Sequence, residues 1–218
     1  MKSRIVLLGA PGSGKGTQAE MITRHFAISV TSPGTILRRE RDLGTPLGLE
    51  ADEIARQGGL VPDDIIVRLI ADWLNLHGQD GFVFDGFPRT VGQAEQLNEI
   101  LSRMKSSLDL AIWLDVSEQT VRDRVAGRLQ CRRCGFTTSL TSARFSERPI
   151  CPYCDGPLIR RDDDESDVLQ ARLAEFRLKT EPLLSYYEKS DALHCIDGNR
   201  DRDAVFADIS ALIEERTK

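Results

Sequence analysis

Residues 9–17 read GAPGSGKGT and follow the apolar run Ile5, Val6, Leu7 and Leu8. They come within one residue of the phosphate-binding pattern G-x-x-x-x-G-K-[ST]. Gly9, Gly14 and Lys15 match, Gly16 stands where the pattern wants a Mg²⁺-ligating hydroxyl, and Thr17 supplies that hydroxyl one position late. A strand, a glycine loop and a helix in succession would aim the backbone N–H groups of Gly12, Ser13, Gly14, Lys15, Gly16 and Thr17 at a phosphate chain, where the partial positive charge of a helix start favours it. Lys15 adds a movable point charge. A second chemical pattern is Cys131, Cys134, Cys151 and Cys154, spaced C-x2-C-x16-C-x2-C. Two tight thiolate pairs suit a closed tetrahedral Zn²⁺ with structural rather than catalytic duty. A third is DGFPR at 85–89, which ends an apolar run with the carboxylate of Asp85 and places Arg89 four residues on. Asp85 could orient water around Mg²⁺, or it could cap the turn that follows; the motif alone allows both.

These groups need elements to hold them. Four runs, RIVLLGA, GFVFDGF, LDLAIWLDV and ALHCIDG, have the β-branched and aromatic content of buried parallel strands, and ISVTS is a briefer fifth. Helix-length segments separate them, which predicts right-handed crossovers and an open parallel sheet covered on both faces. Ligands of such sheets bind beyond the carboxyl ends of the strands, where Gly9, Asp85 and Asp197 fall. Helices are expected over 17–25, 35–42, 47–57, 63–76 and 93–105, and over 166–189 with a kink at Pro182. The window 129–159 is expected to be a loop-like insert stapled by metal. Cys195, on a strand, reads as a small buried hydrophobe.

Composition sets the outer limits. The chain has 218 residues, 40% hydrophobic and 29% charged, enough for one substantial core with small inserts. The N-terminus runs from Met1-Lys2-Ser3-Arg4 straight into a strand, and no stretch approaches about 20 apolar residues, so a cytoplasmic, membrane-free protein is expected. In that compartment the cysteines point to metal rather than to disulfides. The net charge of −5 argues against broad nucleic-acid binding, but nine arginines against three acids in 122–161 make that window +6. An anionic ligand near it is expected.

Taken together, GAPGSGKGT, SPGTILR, GGLVPDD, DGFPRTVGQ, DRVAGR, the four-cysteine window, RDDD with RL eleven residues after Arg161, and DGNR resemble the adenylate kinase family, in its bacterial long-lid, zinc-containing form, over essentially the whole chain. The resemblance implies an α/β nucleoside monophosphate kinase fold with a five-stranded parallel sheet. It also implies a core of 1–30, 61–126 and 161–218, an AMP-binding flap of 31–60 and a lid of 127–160. Reversible phosphoryl transfer from MgATP to AMP, giving two ADP, by a monomer is the implied activity. ATP would meet Gly12 through Thr17, Arg124, Arg128, Thr137, Thr138 and Arg200. AMP would meet Pro33, Arg38, Gly59, Leu60, Val61, Gly86, Phe87, Pro88, Arg89 and Gln93. Arg161 and Arg172 would reach the phosphates of both. Lys15, Asp85 and the five arginines Arg89, Arg124, Arg128, Arg161 and Arg172 would be the catalytic set, with Mg²⁺ arriving on ATP and Zn²⁺ in the lid. Two departures bear on base choice: Pro33 and Thr35 replace the hydroxyl and acid of the usual S-T-G-D-x-L-R, and Thr138 replaces a frequent tyrosine. An acceptor such as CMP, UMP or GMP therefore stays open. So does a more remote reading, a zinc-ribbon binding module on a nucleotide-switch core.

Overall fold

The computed structural model describes residues 3–56, 61–134, 136–140, 150–160 and 164–216. Strand β1 (Arg4–Gly9) is flanked by β3 (Phe82–Asp85) and β4 (Leu110–Asp115), with β2 (Val30–Thr31) and β8 (Leu193–Asp197) at the edges, giving the order β2-β3-β1-β4-β8. Every pairing is parallel. Alternation along β1 divides the core: Val6 and Leu8 join Phe82, Phe84, Trp113 and Tyr187 in one cluster, while Ile5 and Leu7 join Ile22, Val83, Ile112 and Ile209 in the other.

Helices cover both faces. α1 (Lys15–Phe26) and α9 (Arg202–Arg216) supply the second cluster, and α4 (Asp63–His77), α5 (Val91–Arg103) and α8 (Leu183–Glu188) supply the first. α2 (Pro33–Asp42) and α3 (Pro46–Arg56) pack against each other and against α4. Serine and threonine caps start three of the helices: Ser32 accepts from the Thr35 N–H at 3.2 Å, Thr90 from Gln93 at 3.1 Å, and Ser117 from Thr120 at 3.2 Å. The last of these opens α6 (Glu118–Ala126), which together with α9 was not anticipated from sequence. The expected kink at Pro182 is a full break: α7 (Ser166–Lys179) stops before it and α8 starts after it, because proline lacks the N–H and crowds the preceding turn.

The window 129–159 is more regular than expected. β5 (Arg128–Cys131) pairs antiparallel with β6 (Thr137–Ser139) and β7 (Leu158–Ile159) in a separate three-stranded sheet. Among the described residues its interior is Leu129, Cys131, Cys151 and Leu158, with Phe136 and Cys154 against them. Its strand pattern was hidden by Arg, Thr and paired cysteines. Among the described residues no helix is long and apolar enough to cross a membrane.

Candidate active site

The loop between β1 and α1 lies at the carboxyl end of the central strand. Gly12 adopts φ 83°, and a Cβ there would stand 2.6 Å from Val125 Cγ2, so glycine alone lets the loop lie against α6. Gly14 is the N-cap of α1, and Gly16 and Thr17 are exposed on its first turn. A Cβ at Gly16 would come within 3.3 Å of Asp85 Oδ2. The residue in the hydroxyl slot therefore faces the carboxylate that ends β3, and a larger side chain there would press on it.

Lys15 Nζ donates to the carbonyls of Gly9 at 2.7 Å and Ala10 at 2.8 Å, and to Ser13 Oγ at 3.4 Å. Burial brings its pKa down from 10.5 to about 8; Asp85 opposes the shift, while Arg89, Arg172 and Arg128 add to it. Burial raises the pKa of Asp85 against the pull of Lys15 and Arg89. One acid and four cations thus share one electrostatic neighbourhood, a setting for a polyanion.

The arginines are held in different ways. Arg124, on α6, donates to the carbonyls of Ser13 at 3.1 Å, Gly198 at 2.8 Å and Arg200 at 3.4 Å, tying the loop to the turn after β8. Arg128 opens β5 and makes a two-pronged pair with Asp164, Nε to Oδ2 at 2.7 Å. Arg172 is half-buried on α7, beside Leu173, which packs with Leu169, Val121 and Val125 onto Ala10. Arg200 Nε donates to the Asp197 carbonyl at 3.2 Å, and its other end pairs with Asp208. Thr137 and Thr138 stand on β6 opposite Gln130 and Leu129. Arg161 lies outside the described residues.

On the other side of the loop, Gly86, Phe87, Pro88 and Arg89 leave β3, with Phe87 and Pro88 buried and Arg89 exposed. Arg89 Nε donates to the Gly86 carbonyl at 3.0 Å, and its N–H to Gln93 Oε1 at 2.7 Å. Gln93 is buried on α5 and donates from Nε2 to Asp63 Oδ1 at 2.7 Å. Pro33 is the first residue of α2, and Arg38 Nη2 donates to Thr35 Oγ1 at 3.3 Å. Val61 is partly buried next to α4; Gly59 and Leu60 lie outside the described residues.

The four cysteines come together. Their sulfurs all lie within 4.8 Å of one another, with Cys131 to Cys154 at 3.4 Å and Cys134 to Cys151 at 3.5 Å. Four thiolates around one Zn²⁺ at about 2.3 Å would be about 3.8 Å apart, so the set fits that ion. Burial opposes ionisation of Cys131, but the N–H groups of Cys134 and Arg133 and the neighbouring thiols outweigh it and bring its pKa from 9.0 to about 6. None of the five cysteines is in a disulfide, and Cys195, expected as a small buried hydrophobe, is instead exposed, because β8 is an edge strand of the sheet.

The adenylate kinase family model matches residues 7–192. Adenylate kinases from Thermodesulfovibrio yellowstonii and Geobacillus sp. are 39% and 40% identical to the chain; the first alignment covers 98% of this chain and all of the relative, the second 96% and 97%. One from Archaeoglobus fulgidus is 37% identical, over 97% of this chain and 98% of its own length. The chain belongs to the adenylate kinase family. Within that frame, several structural partners were not singled out in the sequence. Asp164, which the sequence offers only as the last residue of RDDD, holds Arg128. Asp63, which the sequence offers only within GGLVPDD, reaches Gln93 across to α5. Thr180, whose Oγ1 donates to the Arg89 carbonyl at 2.9 Å, carried no local signal at all, because it lies 91 residues away.

Proposed function

We propose that this protein catalyses reversible transfer of the γ-phosphoryl group of MgATP to AMP, giving two ADP. The observation that carries the reading is the grouping of Lys15 with Asp85, Arg89, Arg128 and Arg172 at the carboxyl end of the sheet, in a chain that adenylate kinases match over nearly its whole length. A phosphate oxygen of AMP attacks the γ-phosphorus, and the bond to the oxygen bridging β and γ breaks to release ADP. The attacking oxygen is already anionic, so no side-chain base is needed. The chain's contribution is electrostatic and positional.

In this reading the N–H groups of residues 12–17 hold the donor's phosphates. Lys15 exchanges its loop carbonyls for phosphate oxygens as charge builds up. Arg89 and Arg38 hold the acceptor phosphate, and Arg128, Arg161 and Arg172 meet the transferring group. Arg124 keeps the loop and the turn at Gly198 and Arg200 in register, so that the backbone near Arg200 can border the donor base. Asp85, beside Gly16, would hold water around the Mg²⁺ that arrives with ATP, and that ion would supply charge neutralisation on the phosphates. Cys131, Cys134, Cys151 and Cys154 would hold a structural Zn²⁺, which orders the lid and leaves no open position for chemistry. Water competes with AMP as acceptor, so residues 31–60 and 127–160 act as two flaps that close over a monomeric core. The test is ADP formation from MgATP with AMP, CMP, UMP and GMP supplied in turn. AMP is expected to be the preferred acceptor; no ADP with AMP refutes the proposal.

A further inference from the structure

The turn after β3 is anchored by hydrogen bonds that begin at an acid on another helix. Asp63, the first residue of α4, accepts from Gln93 Nε2 at 2.7 Å on Oδ1 and from Thr90 Oγ1 at 3.3 Å on Oδ2. Gln93 Oε1 accepts from the Arg89 N–H at 2.7 Å, and Thr180 Oγ1 donates to the Arg89 carbonyl at 2.9 Å. A carboxylate only accepts and a backbone N–H only donates, so these partners allow the Gln93 amide one orientation. A primary amide has two N–H groups and two acceptor positions. One of each is engaged here, which leaves one N–H and one acceptor position for a bound base.

Across the site, the α2 hydroxyls hydrogen-bond one another. Ser32 Oγ and Thr35 Oγ1 lie 2.9 Å apart as a hydrogen-bonded pair, Arg38 donates to Thr35, and Pro33 has no polar side chain.

We propose that Asp63 is the positioning residue for acceptor specificity, locking the Gln93 amide so that it pairs with a 6-aminopurine and mismatches a 6-oxopurine. The inference rests on AMP being the acceptor. Adenine presents an amino donor beside the N1 acceptor, and hypoxanthine presents an oxygen acceptor beside an N1–H donor. An amide of fixed orientation complements the first and opposes the second, and a buried mismatch of this kind is strongly rejected. Without Asp63 the amide keeps only the Arg89 N–H and can turn.

The test compares AMP with IMP, which differs from AMP only at these two positions, under saturating MgATP. Asp63→Ala is expected to raise KM for AMP about tenfold while kcat stays within about twofold, and to lower the AMP:IMP ratio of kcat/KM about tenfold, the size expected for loss of a charged hydrogen bond. Asp63→Asn, whose Oδ1 can still accept from Gln93, should recover most of the ratio. Asp63→Ser keeps a capping oxygen at the helix start but falls short of Gln93, so it should lower the ratio as alanine does while remaining folded, and it stands in for alanine where alanine impairs folding. A merely structural role would depress both acceptors alike and leave the ratio unchanged. Normal turnover of AMP by the unaltered protein with an unchanged ratio in Asp63→Ala and Asp63→Ser overturns this inference alone. No turnover of AMP or IMP by the unaltered protein overturns it together with the proposed activity.

Discussion

The phosphate loop and the four-cysteine lid are ordered by opposite means. The loop rests on β1, whose residues are buried on both faces, and it is braced by Val121, Val125 and Leu173. Its cations are therefore brought together by a hydrophobic core, and Lys15 is held where water solvates it poorly. Among the described residues the lid's three-stranded sheet encloses Leu129, Cys131, Cys151 and Leu158, with Phe136 and Cys154 against them. A small apolar interior offsets little of the entropy of ordering a segment, so on the proposed reading sulfur ligation would supply much of this segment's order. Chemistry and stability should thus separate cleanly between the two regions.

The strongest break is Lys15→Met. Transfer is expected to fall about 10³-fold, the scale of losing a charge that meets the transferring group. Melting should stay where it is or rise slightly, because the folded state no longer has to desolvate an ammonium. Calorimetry beside the coupled assay checks both halves, and a collapse of melting would show the loop to be as fragile as the lid. The converse change is Cys151→Ser, in the most buried of the four thiols. Bound zinc should drop from one equivalent to none, and the inactivation temperature should fall by roughly 10 °C, while turnover at low temperature stays within about tenfold. Metal analysis and thermal inactivation measure this; equal loss of activity at all temperatures would place the lid metal in the chemistry.

What the sequence disclosed divides along the same line. Strand runs such as IVLL and FVF are legible because a sheet buried on both faces demands continuous apolar residues, and GAPGSGKGT is legible because its glycines are required one by one. The lid sheet was not, since strands with so little interior carry no hydrophobic period. α6 and α9 also escaped, their apolar residues lying among charges, although Val121, Val125, Ile209 and Ile213 are fully or nearly fully buried. Least visible were the partners that set side-chain direction. Asp63, Asp164 and Thr180 act across 30, 36 and 91 residues, and no local spacing encodes such pairs.

A smaller effect comes from pH. With the Lys15 pKa near 8, kcat/KM for MgATP should decline above that pH, approaching tenfold per unit, while the fully ionised nucleotide itself no longer titrates. Stability gives a check on the sign. Between about 8 and 10.5 the unfolded chain keeps this proton and the folded chain has lost it, so the Lys15 contribution to stability rises with pH over the window in which activity falls. A profile flat to pH 10, measured with melting at each pH, would remove Lys15 from the donor site.

The smallest expected effect lies where the lid touches the far end of α1, the helix that the phosphate loop opens. At the lid's edge Tyr153 Oη accepts from Arg24 of α1 at 2.7 Å, the guanidinium carbon lies 5.8 Å from the ring centroid, and Glu20 pairs with the same arginine. Arg24 and Tyr153 are each 60% exposed, so water and salt compete for every part of the contact. The lid stem is different, because the Arg128–Asp164 pair is largely shielded, at 17% and 6% exposure. If the stem anchors the lid and the edge only touches, Arg24→Ala and Tyr153→Phe should each move melting by no more than about 1–2 °C and turnover by less than about threefold. Tyr153→Phe should be the milder, since it keeps the ring beneath the guanidinium. In a double-mutant cycle the two should couple weakly, and the coupling should fade as salt is raised. A coupling that persists in high salt would mean the edge holds the lid as firmly as the stem does, and the division between a core-ordered loop and a metal-ordered lid would then have to include a third support.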